Sequence, residues 1–204
     1  MDKTLLSRIR VIVADDAYMA SLTAGMLRNL GVRSIAETND IAGTWKALRN
    51  GPAGLLLIDD GLGPVDPLTL VRELRADSSA INRHIPVLMT FANAEKSRIL
   101  AARDAGVTEF LKKPLSGNVI GLRLMQALEN PRPFVESPVY AGPDRRRREA
   151  GVKGPDRRGR RPSAQQHDLQ AIVHGLLSLP SSIQQPCLLT AHQSIKKKTS
   201  KRSR

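Results

Sequence analysis

Short apolar runs and helical stripes alternate over the first 130 residues of the chain. Ile9 to Ala14, Gly54 to Ile58, Ile85 to Met89 and Val107 to Lys112 carry little polar alternation. That is how strands read when a parallel sheet is covered on both faces. Ser34 to Glu37 is a weaker candidate of the same kind. Between the runs, apolar residues recur at helical spacing. Ala17 to Asn29 places Met19, Leu22, Met26 and Leu27 near one face and stops at Gly31. Ile41 to Asn50 aligns Ile41, Trp45 and Leu48, and Pro67 opens a helix that turns Leu70, Val71 and Leu74 inward. Glu95 to Ala105 ends at Gly106, and Val119 to Leu128 carries Ile120, Leu124 and Leu128.

Five strands alternating with five helices predict an α/β fold. Right-handed crossovers then favour a doubly wound, flavodoxin-like parallel sheet with strand order 2-1-3-4-5. The periodic pattern stops at Asn130, so residues 1–130 read as one domain. Residues 131–204 read as a separate extension, interrupted by Pro131, Pro133, Pro138, Pro143, Pro155 and Pro162. Charge sharpens this division. Residues 1–130 hold 16 Lys and Arg against 14 Asp and Glu, whereas residues 131–204 hold 16 against 5, most of the overall +13. The extension is expected to be mostly disordered when alone, with one possible amphipathic helix over 163–179. It also carries a repeat: Gly142-Pro143-Asp144-Arg145-Arg146 recurs as Gly154-Pro155-Asp156-Arg157-Arg158.

The single cysteine, Cys187, offers no internal disulfide. No stretch approaches the length of a transmembrane segment, and the first residues lack the apolar core of a signal peptide. The expectation is a cytoplasmic protein.

The candidate chemistry lies where strands end. Asp15-Asp16 closes the first run, Asp59-Asp60 the third and Lys112-Lys113-Pro114 the last. In open parallel sheets the working groups sit at the carboxyl ends of strands. Acidic ends and a basic one, side by side, make a site for a divalent metal and a phosphoryl group.

With Asp66 seven residues beyond Asp59, then Leu68 and Leu70, then Ile85-Pro86-Val87-Leu88-Met89, Ala105-Gly106 and Lys113-Pro114, the first 129 or so residues resemble the receiver domain of two-component response regulators. The resemblance implies a phosphoacceptor protein rather than an enzyme acting on a separate substrate. It implies Mg²⁺ held by Asp15, Asp16, the acceptor carboxylate and the backbone carbonyl of Gly61, with Lys113 contacting the phosphoryl group. It also implies a histidine kinase or phosphotransfer protein as donor and a downstream protein partner. The peptide bond after the lysine is usually cis in this family, which an X-Pro bond makes cheap.

Registers select the acceptor. Counting from Asp59 puts Asp66 and the leucines in place and Gly54 five residues before. Counting from Asp60 fits only Pro64. Asp59 is therefore the expected acceptor, although Gly63 then stands where the family has proline and Pro67 where it has glycine. After the fourth strand the chain departs further. A gapless count back from Lys113 puts the phosphoryl-binding hydroxyl at Phe91, with Thr90 one residue early. Strand side chains alternate faces, so only one of the two points into the site. The family's switching aromatic falls on Phe110, which has no phenol.

Two rival readings follow. A degenerate receiver would act as a phosphate-independent adaptor, favoured by Phe91. A basic tail could bind nucleic acid or another anionic surface non-specifically, although no recognition fold or stacking platform accompanies it. A flavin-binding reading shares the fold but would put two aspartates against a phosphate.

Overall fold

The structure, a computed structural model, describes residues 3–145. Its elements are α1 (Lys3–Arg8), β1 (Arg10–Ala14), α2 (Ala17–Leu30), β2 (Ser34–Thr38), α3 (Ile41–Arg49), β3 (Leu55–Asp59) and α4 (Pro67–Ala76). They continue with β4 (Val87–Phe91), α5 (Lys96–Ala105), β5 (Glu109–Lys112), α6 (Gly117–Glu129), β6 (Phe134–Ser137) and β7 (Tyr140–Pro143). The first five strands form one sheet in the order β2-β1-β3-β4-β5, every pair parallel. This is the doubly wound, flavodoxin-like arrangement expected.

Alternation along the strands splits the core into two layers. Val11, Val13, Leu55, Leu57, Leu88 and Leu111 pack with Leu27, Ile120 and Leu124. Ile12, Leu56, Ile58, Val87, Met89 and Phe91 pack with Leu70, Val71, Leu74 and Ala102 on the other face. Because side chains have a period of two, the first layer also fixes where the strand-end residues point. Asp15, Asp59, Thr90 and Lys113 continue that layer past its last apolar residues.

Local chemistry sets the helix bounds. Asp16 caps α2 by accepting from the backbone N–H groups of Tyr18 and Met19, and Gly31 closes the helix in the left-handed conformation. Asp66 caps α4 ahead of Pro67, and Ser116 caps α6. The fourth strand runs two residues later than the apolar run suggests, from Val87 to Phe91 instead of Ile85 to Met89. Pro86 has no N–H to give the ladder, though its carbonyl accepts from Leu56.

Two elements lie outside the periodic pattern. One is α1, whose Leu6 is buried. The other is the antiparallel hairpin of β6 and β7, with Phe134 opposite Pro143 and Ser137 opposite Tyr140. The sequence pattern ends at Asn130, yet the ordered chain continues through this hairpin against α4 and α5. Its strands are four residues long and flanked by prolines, too short to register as periodicity. The proposed helix over 163–179 and the second Gly-Pro-Asp-Arg-Arg lie outside the described residues.

Candidate functional site

Four strands deliver the predicted residues to one pocket at the carboxyl edge. In the ladder Asp59 lies opposite Thr90, and Ala14 opposite Ile58, so Asp15 and Asp59 follow side by side. Lys113 Nζ lies 2.8 Å from Asp59 Oδ1 and 3.0 Å from Asp15 Oδ2. Thr90 Oγ1 donates to Asp59 Oδ1 at 2.8 Å, and the Gly61 N–H donates to Asp59 Oδ2 at 2.9 Å. The Lys113–Pro114 bond is cis.

The electrostatics follow from burial. Asp15 is only 1% exposed. Burial pushes its carboxyl up from the ordinary range, opposed by the Lys113 hydrogen bond and reinforced by the Asp59 charge. Burial pulls Lys113 down, but its hydrogen bonds to Asp59 and then Asp15 outweigh this and hold the ammonium above its usual value.

Thr90, not Phe91, occupies the position beside Asp59. Phe91 belongs to the opposite core layer, 1% exposed, with its ring 6.1 Å from Phe110. Its backbone carbonyl accepts from the Lys113 N–H at 2.8 Å. The gapless count fails because the stretch from the fourth strand to Lys113 is one residue longer than it assumes. Phe110 is half-buried against the same layer as Phe91, and neither ring enters the pocket.

Asp60 points away from Asp59, as alternation requires. Its carboxylate accepts from Arg98 Nε at 2.7 Å, and Arg98 Nη2 reaches Asp66 Oδ1 at 2.7 Å. Arg98 was not a candidate from sequence. The signal was there in charge placement: Lys96 and Arg98 both sit in the first turn of α5, and Glu95 makes no capping bond. Cations oppose the helix dipole at that end, so a compensating anion had to be near.

Among the described residues no three His, Cys, Asp or Glu side chains converge as a ready-made metal cage. The donors present still suit a hard divalent cation that keeps several of its own waters. Asp15 Oδ2 is buried and accepts no hydrogen bond, although the Lys113 ammonium is beside it. Asp16 uses Oδ1 for both capping bonds. Among the described residues no helix is long and apolar enough to cross a membrane.

Comparison with known proteins agrees with this geometry. Residues 11–125, more than half of the chain, match the family described as "Response regulator receiver domain". The chain is 29% identical over 122 residues to the chemotaxis protein CheY of Pseudomonas aeruginosa, covering 59% of this chain and 97% of that protein. It is 26% identical over 130 residues to CheY-3 of Vibrio cholerae, covering 63% and 98%. Among solved structures, a two-component response regulator from Clostridium difficile superposes with a TM-score of 0.54 at 19% identity, covering 60% of this chain and 97% of the other. The receiver domain of a sensor histidine kinase from Pseudomonas aeruginosa, described with a magnesium ion in its active site cleft, gives 0.52 at 23% identity, covering 58% and 95%. The hairpin lies beyond the matched stretch.

Proposed function

The chain belongs to the response regulator receiver domain family, and on that premise we propose that it accepts a phosphoryl group on Asp59 from the phosphohistidine of a histidine kinase or phosphotransfer protein. The observation that supports this most is the meeting of Asp15, Asp59, Thr90 and Lys113, from four separate strand ends, within hydrogen-bonding distance. Asp15, Asp16, Asp59 and the Gly61 carbonyl would hold Mg²⁺. Bound there, the ion would offset the phosphoryl group's negative charge as it meets a carboxylate.

The protein's own residues divide the remaining work. One oxygen of Asp59 attacks phosphorus while the bond from phosphorus to the donor imidazole nitrogen breaks, and the imidazole leaves with that electron pair. Thr90 Oγ1 and Lys113 Nζ, already on Asp59 Oδ1, donate to phosphoryl oxygens as the acyl phosphate forms. The Gly61 N–H steadies the other carboxylate oxygen. The chain is then a phosphoacceptor that signals through protein contacts and not an enzyme for a separate substrate. The adaptor reading loses its main support, because Phe91 sits in the core and leaves the pocket to Thr90.

Intact mass after incubation with Mg²⁺ and acetyl phosphate tests the proposal. A phosphoryl adduct is expected for the wild type and for Asp60→Asn, and none for Asp59→Asn. An adduct retained by Asp59→Asn would overturn the assignment. The net positive charge of residues 131–204 further supports electrostatic contact with an anionic partner. Such binding should weaken steeply as salt rises; salt-insensitive binding would sink that part.

A further inference from the structure

Five aspartates, Asp15, Asp16, Asp59, Asp60 and Asp66, follow the strand ends at this edge, and two cations pair with four of them. Lys113 takes Asp15 and Asp59, two of the three carboxylates that would meet metal and phosphoryl group. Arg98 takes the other two, Asp60 and Asp66. These two carboxylates bracket the stretch Gly61 to Val65, which joins β3 to α4 and carries the Gly61 carbonyl. Asp60 is tied to the sheet by its own N–H, which donates to the Thr90 carbonyl at 2.9 Å. Asp66 is tied to α4 as its cap. Arg98 therefore spans both ends of the loop from a third element, α5.

The residue type matters. A guanidinium is a rigid planar fork that can hold two carboxylates at once, whereas an ammonium is a point charge. Here Nε serves Asp60, and Nη2, with Nη1 at 3.4 Å, serves Asp66. The hydrogen bond from Arg98 holds the Asp66 carboxyl below its usual range despite some burial. The position also runs against the preference of a helix start for anions, so α5 alone gives no reason for a cation there.

We propose that Arg98 is a positioning residue for the phosphoacceptor site, holding Asp60 and Asp66 so that the loop between them presents the Gly61 carbonyl to the metal and Asp60 stays out of the pocket. This rests on the metal and phosphoryl reading above and deepens it. Arg98 touches neither acceptor nor metal; it acts through the loop. Strand alternation sends Asp60 to the far side from Asp59, and Arg98 engages it there.

Calorimetric titration of the full chain with Mg²⁺ alone, before any phosphoryl donor, tests this. Arg98→Ala should weaken Mg²⁺ binding about tenfold, as loss of a residue that orients metal ligands does, and amides of residues 61–65 should exchange faster without metal. Arg98→Lys should recover only part of the affinity, because one ammonium cannot fork across both carboxylates. Arg103→Ala, one turn or so along α5 and paired with its neighbour Asp104, should bind Mg²⁺ like the wild type. Equal affinity in wild type and Arg98→Ala would overturn the Arg98 role alone. A wild type that binds no Mg²⁺ would overturn the functional reading itself, and the Arg98 role with it.

Discussion

At the carboxyl edge of the sheet two cations are shared among four carboxylates, whereas at the amino edge a single fully buried guanidinium meets carbonyls alone. Arg75, at the end of α4, is 1% exposed. Its Nε donates to the Gly106 carbonyl at 3.2 Å, its Nη2 to Ile85 at 2.8 Å and its Nη1 to Arg83. Burial pulls it down to about 10. The three carbonyls come from the turns that lead into β4 and β5, so Arg75 ties the bottom of the sheet together. The hairpin closes over the same place: Gly142 lies against Gly106, where a Cβ would sit 3.1 Å from the Gly106 Cα. The difference is between groups arranged to exchange partners and groups arranged never to. Lys113, Asp15 and Asp59 are held by one another, and under the proposed function an incoming cation and phosphoryl group would re-pair them. The Arg75 cluster has no alternative partner.

Removing a group from each edge should expose that difference, and Arg75→Ala should have the largest effect. It strands three carbonyls, two of them in buried hydrogen bonds, and leaves the volume of a long side chain empty. Urea unfolding should show a loss on the order of 3–5 kcal/mol. A loss below about 1 kcal/mol would mean that water reaches those carbonyls and that the two edges are alike.

Gly106→Ala comes next. Gly106 closes α5 with φ near 102°, and a Cβ there would lie 2.9 Å from Arg75 Cγ. Strain and contact together should destabilise by about 1–3 kcal/mol. An unchanged midpoint would show that the clasp at the amino edge is loose.

These two edges were also unequally legible. The carboxyl edge could be read because Asp15, Asp59 and Lys113 are charged residues closing apolar runs, a combination that few other arrangements explain. Thr90 could not be settled by counting, since a one-residue difference in the following stretch moves the answer; only strand register decided it. Arg98 was readable in principle from cations in the first turn of α5. The amino edge was not. Arg75 lies one position beyond Leu74 on what reads as an ordinary amphipathic helix, and its partners are backbone carbonyls, which have no signature in sequence. The hairpin failed to register for a related reason. Its hold is Arg83 over the Phe134 ring at 5.2 Å, Arg83 on Glu136, and Arg132 on Glu109, contacts between residues that look solvated one by one.

At the carboxyl edge the expected sign reverses. Asp15 has its folded-state carboxyl raised by burial. Its ionisation therefore removes stability as pH rises from the unfolded carboxylate value through the folded one, and the deficit persists at neutral pH. Asp15→Asn should raise stability without Mg²⁺ by about 0.5–1 kcal/mol and flatten the acid side of the stability–pH curve, while weakening Mg²⁺ binding. Thermal unfolding from pH 4 to 8 checks this. A variant less stable than wild type at neutral pH would mean that the Lys113 pairing outweighs the burial, making this edge a stability element like the other.

The smallest effect concerns how the extension leaves the domain. Arg145 has its guanidinium carbon 3.8 Å from the centre of the Tyr140 ring and its Nη1 3.2 Å from Asp104 Oδ1 on α5. It thus anchors the last described residues of the chain at the amino edge, the end of the sheet opposite Asp59. Both partners of the ion pair are well exposed, so a double-mutant cycle of Arg145→Ala with Asp104→Ala should give a coupling of about 0.2–1 kcal/mol. Salt approaching 1 M should weaken it, because the Debye length then falls to about 3 Å, comparable to the separation of this exposed pair. The ring contact is less sensitive to salt, so Arg145→Ala in an Asp104→Ala background should retain a residual loss that Tyr140→Leu removes. A coupling well above that range and indifferent to salt would place Arg145 with Arg75 among the fixed contacts. A small, screened coupling leaves it as a tether that an anionic partner of the extension can displace without disturbing the fold beneath.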